Sequence, residues 1–167
     1  WCAANGIDWG VITNGSAFSR ANVERIVAAR PINISVSVDG ATAAVHDLSR
    51  GTPGSLEQIG RGIDNLRAER DRRGASFAIR IKPTLHRMNL HEMPALVHWA
   101  VKVGATSIDF SPVRPWTREV DTMLWMRPED EAALQDVVEQ LIAAKRAGAP
   151  IETEESRLRG LPGHFRG

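Results

Sequence analysis

Three segments of this sequence alternate between apolar and polar residues, and this alternation constrains the fold more than any other feature. In residues 32–40, isoleucine and valine occupy positions 32, 34, 36 and 38, and polar side chains lie between them. Strand side chains point alternately to the two faces of a sheet, so this segment is predicted to be a strand with one apolar and one polar face. Residues 77–84 and 107–112 repeat the pattern. The polar positions of the three segments include Asn33, Ser35, Ser37, Asp39, Arg80, Lys82, Thr84, Ser107, Asp109 and Ser111.

The connections between these strands predict a parallel sheet. They are long and have helical spacing of apolar residues, and a further strand is predicted at residues 8–13. Such connections are crossovers between parallel strands. Strands covered by helices on both faces are apolar throughout, so here one face is left to line a polar space, as inside a β/α barrel or half-barrel that holds a charged ligand. An antiparallel sheet with one face in water stays open as an alternative, although no hairpin turns of the Asn-Gly kind join the strands.

Composition narrows the classes of function. The chain has 167 residues, of which 43% are hydrophobic, and this is enough to bury the core of one domain. A net charge of +1 with interspersed acids and bases argues against nucleic-acid and membrane partners. No apolar run approaches the roughly 20 residues that span a bilayer, so a cytoplasmic location is expected. Cys2 is the only cysteine, which excludes a disulfide within the chain.

Local signals predict the elements that connect the strands. A helix is predicted over residues 21–29, and polar, aperiodic residues after Gly148 predict a linker. The remaining predictions are a loop through His46, Asp47 and Arg50, a capping box of Ser55 and Gln58, Asn89 as an N-cap, and Pro128 at the start of the last helix.

Ligands of parallel β/α folds bind where the carboxyl ends of the strands converge. The residues predicted there offer hydroxyls, an amide and a carboxylate, and cations lie on the strand below. This mixture suits a zwitterion that carries a hydroxylated sugar. The set comprises Thr13, Asn14, Ser37, Asp39, Thr84 and Ser111, with Arg80 and Lys82 below them.

The order of short motifs along the chain resembles that of the radical S-adenosylmethionine (SAM) enzymes. The resemblance covers about residues 6–116 and rests on Thr13-Asn14-Gly15, Ser37-Val38-Asp39-Gly40, His46-Asp47, Arg50-Gly51, Gly54-Ser55-Leu56, Lys82-Pro83-Thr84-Leu85 with Asn89, and Phe110-Ser111-Pro112-Val113 with Pro115. It implies an α/β fold, a fragment of a partial (β/α)6 TIM-like barrel with four parallel strands, the third to the sixth, and covering helices. Residues 1–117 would be the C-terminal portion of that barrel, 118–148 its closing helix, and 149–167 a linker toward a further domain.

The resemblance also implies a set of site residues. The residues expected to bind SAM are Thr13, Asn14, Ser37, Asp39, Arg50 and Ser111. Candidates on the substrate side are Arg80, Lys82, Asp109 and Trp116. The catalytic residue is not assigned, and no metal ligand is predicted within the chain.

A SAM enzyme of this family uses a 4Fe-4S cluster, whose three-cysteine motif this sequence lacks. The cluster ligands are therefore expected outside the chain, and the chain alone is expected to be inactive. The intact protein would form a 5'-deoxyadenosyl radical and abstract hydrogen from a peptide or a small-molecule substrate. A flavodoxin or ferredoxin would supply electrons, and a cysteine-rich SPASM-like domain would follow. The alternative function is a non-redox β/α barrel, aldolase-like or sugar-binding, that uses Arg80, Lys82 and Asp109 on an anionic metabolite.

Overall fold

Strands and helices alternate along most of the chain in a computed structural model, which describes residues 1–115, 117–118 and 123–166. The strands are β1 (Gly10–Thr13), β2 (Asn33–Val36), β3 (Ala78–Ile81), β4 (Thr84–Leu85), β5 (Ser107–Ile108) and β6 (Ser111–Pro112). The helices are α1 (Arg20–Ala28), α2 (Ala43–Arg50), α3 (Ser55–Arg72), α4 (Met93–Lys102), α5 (Glu131–Arg146) and α6 (Glu155–Arg166). Single 3₁₀ turns occupy Ala3–Asn5, Leu90–Glu92 and Pro128–Asp130.

The main sheet has four parallel strands in the order β1-β2-β3-β5, and β4 and β6 form a second, two-stranded parallel sheet. This confirms the predicted α/β class and excludes the antiparallel alternative. The four strands of the main sheet lie side by side in the order in which they occur along the chain, as crossover connections between consecutive strands require. A parallel bridge from Ile108 to Ile151 extends the sheet beyond β5.

The strand register separates an apolar from a polar face. Side chains paired across neighbouring strands share a face, and Val36, Ile81 and Ile108 form one such row. All three are fully buried beneath the helices. The next row contains Ser35, Arg80 and Ser107. The predicted alternation is therefore confirmed in β2, β3 and β5.

Strand β1 departs from this pattern. Thr13 pairs with Val36 in the apolar row, whereas Ile12 pairs with Ser35 and is 66% exposed on the polar face. The register thus directs Thr13 toward the helix-covered face, and its Oγ1 accepts a hydrogen bond from the Gly15 N–H at 3.1 Å.

The loop predicted through His46, Asp47 and Arg50 is wrong, because these residues lie in α2. The helix begins where the Glu92 carboxylate accepts hydrogen bonds from the N–H groups of Ala41 and Thr42, at 2.7 and 3.0 Å. A carboxylate at this position satisfies donors that have no partner inside a helix. The cap comes from 50 residues away in sequence, and a local pattern cannot reveal it.

The capping box predicted for α3 is also wrong. Ser55 is the first residue of the helix, and the Gln58 amide donates to the Ser16 carbonyl at 3.1 Å. Asp47 performs the capping, because its carboxylate accepts from the N–H groups of Gly54 and Leu56 at 2.6 and 2.9 Å. The backbone hydrogen bond from Leu56 is the main cause that lowers the pKa of Asp47.

The aperiodic linker predicted after Gly148 is wrong for residues 155–166, which form α6. Leu158, Leu161 and Phe165 are buried on one side of this helix. Their spacing is helical, but Gly160, Pro162 and Gly163 between them are poor helix formers and conceal it. The domain limits at residues 117 and 148, and a role for residues 149–167 in leading to a further domain, stay predictions.

Within the described ranges, no helix is both long and apolar enough to cross a membrane.

Candidate functional site

The Asp39 carboxylate is the centre of a buried network just beyond β2. Its side chain is 5% exposed, and its Oδ2 lies 2.8 Å from Nη2 of Arg50. Its Oδ1 accepts the Thr84 N–H at 2.9 Å, at the start of β4. Asp39 therefore joins the ends of two strands to the last turn of α2.

The backbone of Asp39 is fixed as firmly as its side chain. Its N–H donates to Nδ1 of His46 at 3.0 Å, and its carbonyl accepts from Nδ2 of Asn89 at 2.8 Å. Asn89 also donates to the Thr84 carbonyl and accepts from the His86 N–H, both at 2.9 Å. Asn89 is the N-cap residue of the turn Leu90–Glu92, as predicted, although its side chain makes no capping hydrogen bond. The amide is fully buried and ties β4 to the end of β2.

Gly40 allows the Glu92 carboxylate to approach this network. A Cβ at position 40 would lie 2.9 Å from Oε2 of Glu92 and 2.9 Å from the backbone nitrogen of His46. Cβ atoms in proteins do not come this close to other heavy atoms. Packing alone therefore requires glycine at position 40, whether or not a ligand binds nearby, because a larger residue would displace the Glu92 cap of α2.

Two buried histidines flank the ion pair of Asp39 and Arg50. Burial lowers the pKa of both His46 and His86; the Asp39 carboxylate opposes the shift and Arg50 adds to it. Nδ1 of His46 accepts a hydrogen bond, so its proton resides on Nε2. Nε2 of His46 and Nδ1 of His86 are buried without a hydrogen-bond partner. Burial therefore favours the neutral form of both rings.

Arg50 is the cation that this network presents to the surface. Asp39 fixes its guanidinium, yet the side chain remains 32% exposed. A guanidinium has five N–H donors, and one close ion pair leaves several of them for a ligand.

The remaining residues predicted to bind SAM lie at the same edge but in different surroundings. Ser37 is half-buried and its N–H donates to the Thr13 carbonyl at 2.9 Å, which continues the strand register. Ser111 is half-buried and pairs with Thr84 across the two-stranded sheet. Asn14 is exposed, and its Oδ1 accepts from the N–H and the hydroxyl of Ser16, at 3.1 and 2.8 Å. Asn14 thus stabilises its own turn.

The substrate-side candidates form a second cluster of charges across the sheet. Nζ of Lys82 lies 2.7 Å from Oδ2 of Asp109, and Oγ1 of Thr153 donates to Oδ1 at 2.8 Å. Burial alone raises the pKa of Asp109, but the hydrogen bonds from Lys82 and Thr153 outweigh it, and the net shift is downward. Nε of Arg80 lies 3.1 Å from Oε2 of Glu152. Trp116 lies outside the described residues.

Sequence reasoning missed the residues that complete both clusters. Apart from His46, which lies seven residues from Asp39, their partners are distant in the chain, and no local pattern marks them as site residues. The missed residues are His46, His86 and Glu92 around Asp39, and Glu152, Thr153 and Arg157 around Asp109.

A parallel β/α sheet with polar and charged side chains at its carboxyl edge defines a partial barrel, and proteins of this class bind their ligands at that edge. No family model matches the chain. The AdoMet-dependent heme synthase of Methanosarcina barkeri is 37% identical over 95 residues, which are 57% of this chain and 26% of that protein. The mycofactocin maturase MftC of Mycobacterium tuberculosis is 31% identical over 124 residues, 74% of this chain and 30% of that protein. The chain belongs to the radical SAM family.

Solved structures show the same fold at low sequence identity. The chain aligns with anSMEcpe bound to AdoMet and the Kp18Cys peptide at a TM-score of 0.64 and 12% identity, over 88% of this chain and 40% of that one. For Streptococcus suis SuiB bound to its precursor peptide SuiA, the TM-score is 0.63 at 13% identity, over 92% and 33%. A putative phosphonomutase from Burkholderia cenocepacia aligns at 0.51 and 13% identity, over 88% and 52%. The chain spans less than a third of the two relatives named above.

Proposed function

We propose that the carboxyl edge of this sheet binds SAM and that the protein takes part in SAM-dependent radical modification of a peptide or a cofactor precursor. Its relatives are named as an AdoMet-dependent heme synthase and a mycofactocin maturase, and two neighbours of the same fold were solved with peptides, one of them also with AdoMet. The observation that carries the proposal is the Arg50 guanidinium, fixed by Asp39 at 2.8 Å and still partly exposed.

The side chains at this edge fit the polar groups of SAM. A fixed guanidinium suits its α-carboxylate, and the hydroxyls of Ser37 and Ser111 suit its ribose or amino-acid oxygens. Both oxygens of Asp39 already have partners, so we assign Asp39 mainly to positioning Arg50 and Thr84. Its predicted contact with the ribose would use the lone pairs that remain.

The chain does not fit a 4Fe-4S cluster. It contains one cysteine, whereas such a cluster needs several thiolates. Among the described residues, no group of three His, Cys, Asp or Glu side chains could hold a metal ion. The cluster ligands therefore belong outside these 167 residues, and the share of this chain is to bind and orient SAM. The electron donor, flavodoxin or ferredoxin, and a SPASM-like domain stay predictions.

Equilibrium dialysis with SAM, on protein expressed from its complete reading frame, tests the assignment. Arg50→Gln removes a charged donor and should weaken SAM binding by about tenfold or more, because such bonds contribute roughly 1.5–3 kcal/mol. Ser37→Ala should weaken it less, by about two- to tenfold. The matched control is Arg61→Gln, which removes an exposed guanidinium on α3 that pairs only with Glu57 among the described contacts.

Circular dichroism must first show that the Arg50→Gln protein is folded, because this variant leaves Asp39 without its ion pair. Equal SAM affinity in folded Arg50→Gln and Arg61→Gln proteins would refute the proposal.

The alternative function, a non-redox barrel that binds an anionic metabolite through Arg80 and Lys82, is less well supported. Glu152 and Asp109 neutralise these two cations, at 3.1 and 2.7 Å. Asp39 pairs with Arg50 just as closely, at 2.8 Å, so the pairing does not separate the two functions. The names of the relatives, an AdoMet-dependent heme synthase and a mycofactocin maturase, favour the SAM-binding edge.

A further inference from the structure

A cavity that adjoins the SAM-binding edge proposed above lies between the end of β6 and helix α6, and Ser111 belongs to both. Its volume is about 310 Å³, near the lower limit for sites that hold small organic molecules. Phe110 and Leu161, which are buried, line it together with Arg114, Arg157 and His164. The cavity therefore combines apolar side chains with two guanidinium groups.

Arg157 is only weakly engaged by the protein. Its Nη1 lies 3.9 Å from Oδ1 of Asp109, and its side chain is 57% exposed. Asp109 already has closer partners, since Lys82 and Thr153 approach it to 2.7 and 2.8 Å. Arg157 can consequently turn its donors to a ligand without leaving a buried carboxylate unpaired.

Arg114 adds a second guanidinium to this lining, and His164 is held beside it. Arg114 is exposed beside the cavity, and His164 is held there because its Nε2 lies 3.0 Å from the Val113 carbonyl and its ring packs against Trp125 at 5.2 Å. The hydroxyl of Ser111 also lines the space. No carboxylate is among the described residues that line it.

The planar guanidinium group matches a carboxylate through two parallel hydrogen bonds. Apolar side chains in the same cavity as the cations favour an organic anion over an inorganic one, because such an anion gains from burying its carbon atoms. We propose that this cavity binds a carboxylate group of the substrate, with Arg157 and Arg114 as its partners and the attached apolar group against Phe110 and Leu161. Ser111 lines both the cavity and the SAM edge, so a substrate held in the cavity would lie next to SAM. The role in substrate binding therefore rests on the proposed function.

Helix α6 provides a substitution that fills the cavity and a matched control. A Cβ at Gly160, which lines the cavity, meets no atom within 4 Å, and the same is true of Gly163, which is not part of the lining. Gly160→Leu should therefore occupy the cavity, whereas Gly163→Leu should leave it open. Leucine forms helices better than glycine does, so both variants should keep α6.

Binding is measured by NMR titration with three probes. N-acetylphenylalanine carries a main-chain carboxylate, the α-amide of N-acetylglutamate carries a side-chain carboxylate, and N-acetylphenylalanine amide carries none. At least one acid should bind about tenfold or more tightly than the amide, and the better acid identifies the source of the carboxylate. Gly160→Leu and Arg157→Gln should each weaken its binding by about tenfold, and Gly163→Leu should not.

Four results would overturn the proposal. They are equal binding of acids and amide, no binding of either acid, equal losses in both glycine variants, and unchanged binding in Arg157→Gln. Displacement of the acid by SAM would also contradict it, because the cavity would then be part of the SAM site. SAM affinity is measured separately on the same proteins. If Arg50→Gln and Arg61→Gln bind SAM equally but the acid still binds to the cavity, the proposed function is refuted and the acid-binding cavity is not.

Discussion

The two charged clusters on the polar face differ in how completely the protein satisfies them. Around Asp39, each charged group has a partner at short range, and the partners come from three elements of the fold: β4, the turn before α4, and both ends of α2. Around Asp109, the contacts on one side are short, whereas Arg157 lies at 3.9 Å and is mostly exposed.

This difference indicates separate tasks. A network in which each charged group has a close partner fixes one geometry in a low-dielectric interior, because breaking such a bond leaves a buried group without a partner. Such a network suits the fixed position that we assign to Arg50. A cluster with an exposed cation beside a cavity costs less to rearrange, so it suits a ligand that differs between related proteins.

The largest effect on the free energy of unfolding is expected in helix α6. This helix carries Arg157 of the cluster around Asp109, which we call the open cluster. Leu158 is fully buried, and truncating such a residue costs roughly 2–5 kcal/mol. Leu158→Ala should therefore lower the free energy of unfolding by that amount in urea titration, with a single transition. Leu48→Ala is the control, because Leu48 is 68% exposed. A loss in Leu158→Ala no greater than in the control would mean that residues 155–166 are not part of this fold.

The cluster around Asp39, which we call the fixed cluster, should lose stability when the Asp39 carboxylate is removed. Asp39→Ala leaves the Thr84 N–H and the Arg50 guanidinium without their partner, and we expect a loss of about 1.5–3 kcal/mol in the free energy of unfolding. Asp39→Asn keeps an oxygen acceptor for Thr84, so it should cost less. If the two variants are equally stable in urea titration, the hydrogen bond to Thr84 does not contribute and the network is less tightly coupled than we infer.

The same contrast explains what the sequence could reveal. Periodicity identified the parallel strands and the two faces, because Ile34, Val36, Ile79 and Ile81 form a local pattern of period two that burial enforces. The motifs that contain Asp39 and Arg50, which are short and ordered along the chain, also predict that both residues lie at one edge of the sheet, and the structure pairs the two side chains at 2.8 Å. The binding of SAM by Ser37, Asp39 and Arg50 stays a prediction.

Long-range hydrogen bonds could not be predicted in this way. Glu92 and Asn89 fit a local helix-start signal, yet their side chains are directed to residues about 50 positions away. Competing tertiary partners thus replaced the local caps. Residues 155–166 were missed for another reason: glycine and proline lower helix propensity, and only packing of Leu158, Leu161 and Phe165 outweighs it.

The two buried histidines of the fixed cluster should make the stability of the protein depend on pH. Burial lowers the pKa of His46 and His86 in the folded state, whereas the unfolded chain has the ordinary value near 6.5. As pH falls below that ordinary value, the unfolded state binds protons first, so stability is full above it and decreases toward the lowered pKa. The slope for each histidine is at most about 1.4 kcal/mol per pH unit.

His46→Asn should reduce this slope in unfolding experiments between about pH 5 and 8, because the asparagine oxygen still accepts the Asp39 N–H but does not titrate. His98→Asn, at an exposed position, is the control. An unchanged slope in His46→Asn would show that this histidine does not contribute to the acid sensitivity.

The smallest effect on stability is expected at Arg157, and it sets the open cluster most clearly apart from the fixed one. A contact of 3.9 Å from a side chain that is 57% exposed contributes no more than about 0.5 kcal/mol, since solvent screens it. Arg157→Gln should therefore leave the urea midpoint nearly unchanged. Lys82→Gln removes the ion pair at 2.7 Å to the same carboxylate and should destabilise more. If Arg157→Gln is as destabilising as Lys82→Gln, Arg157 is a structural partner of Asp109, and the open cluster is as fully committed as the one around Asp39.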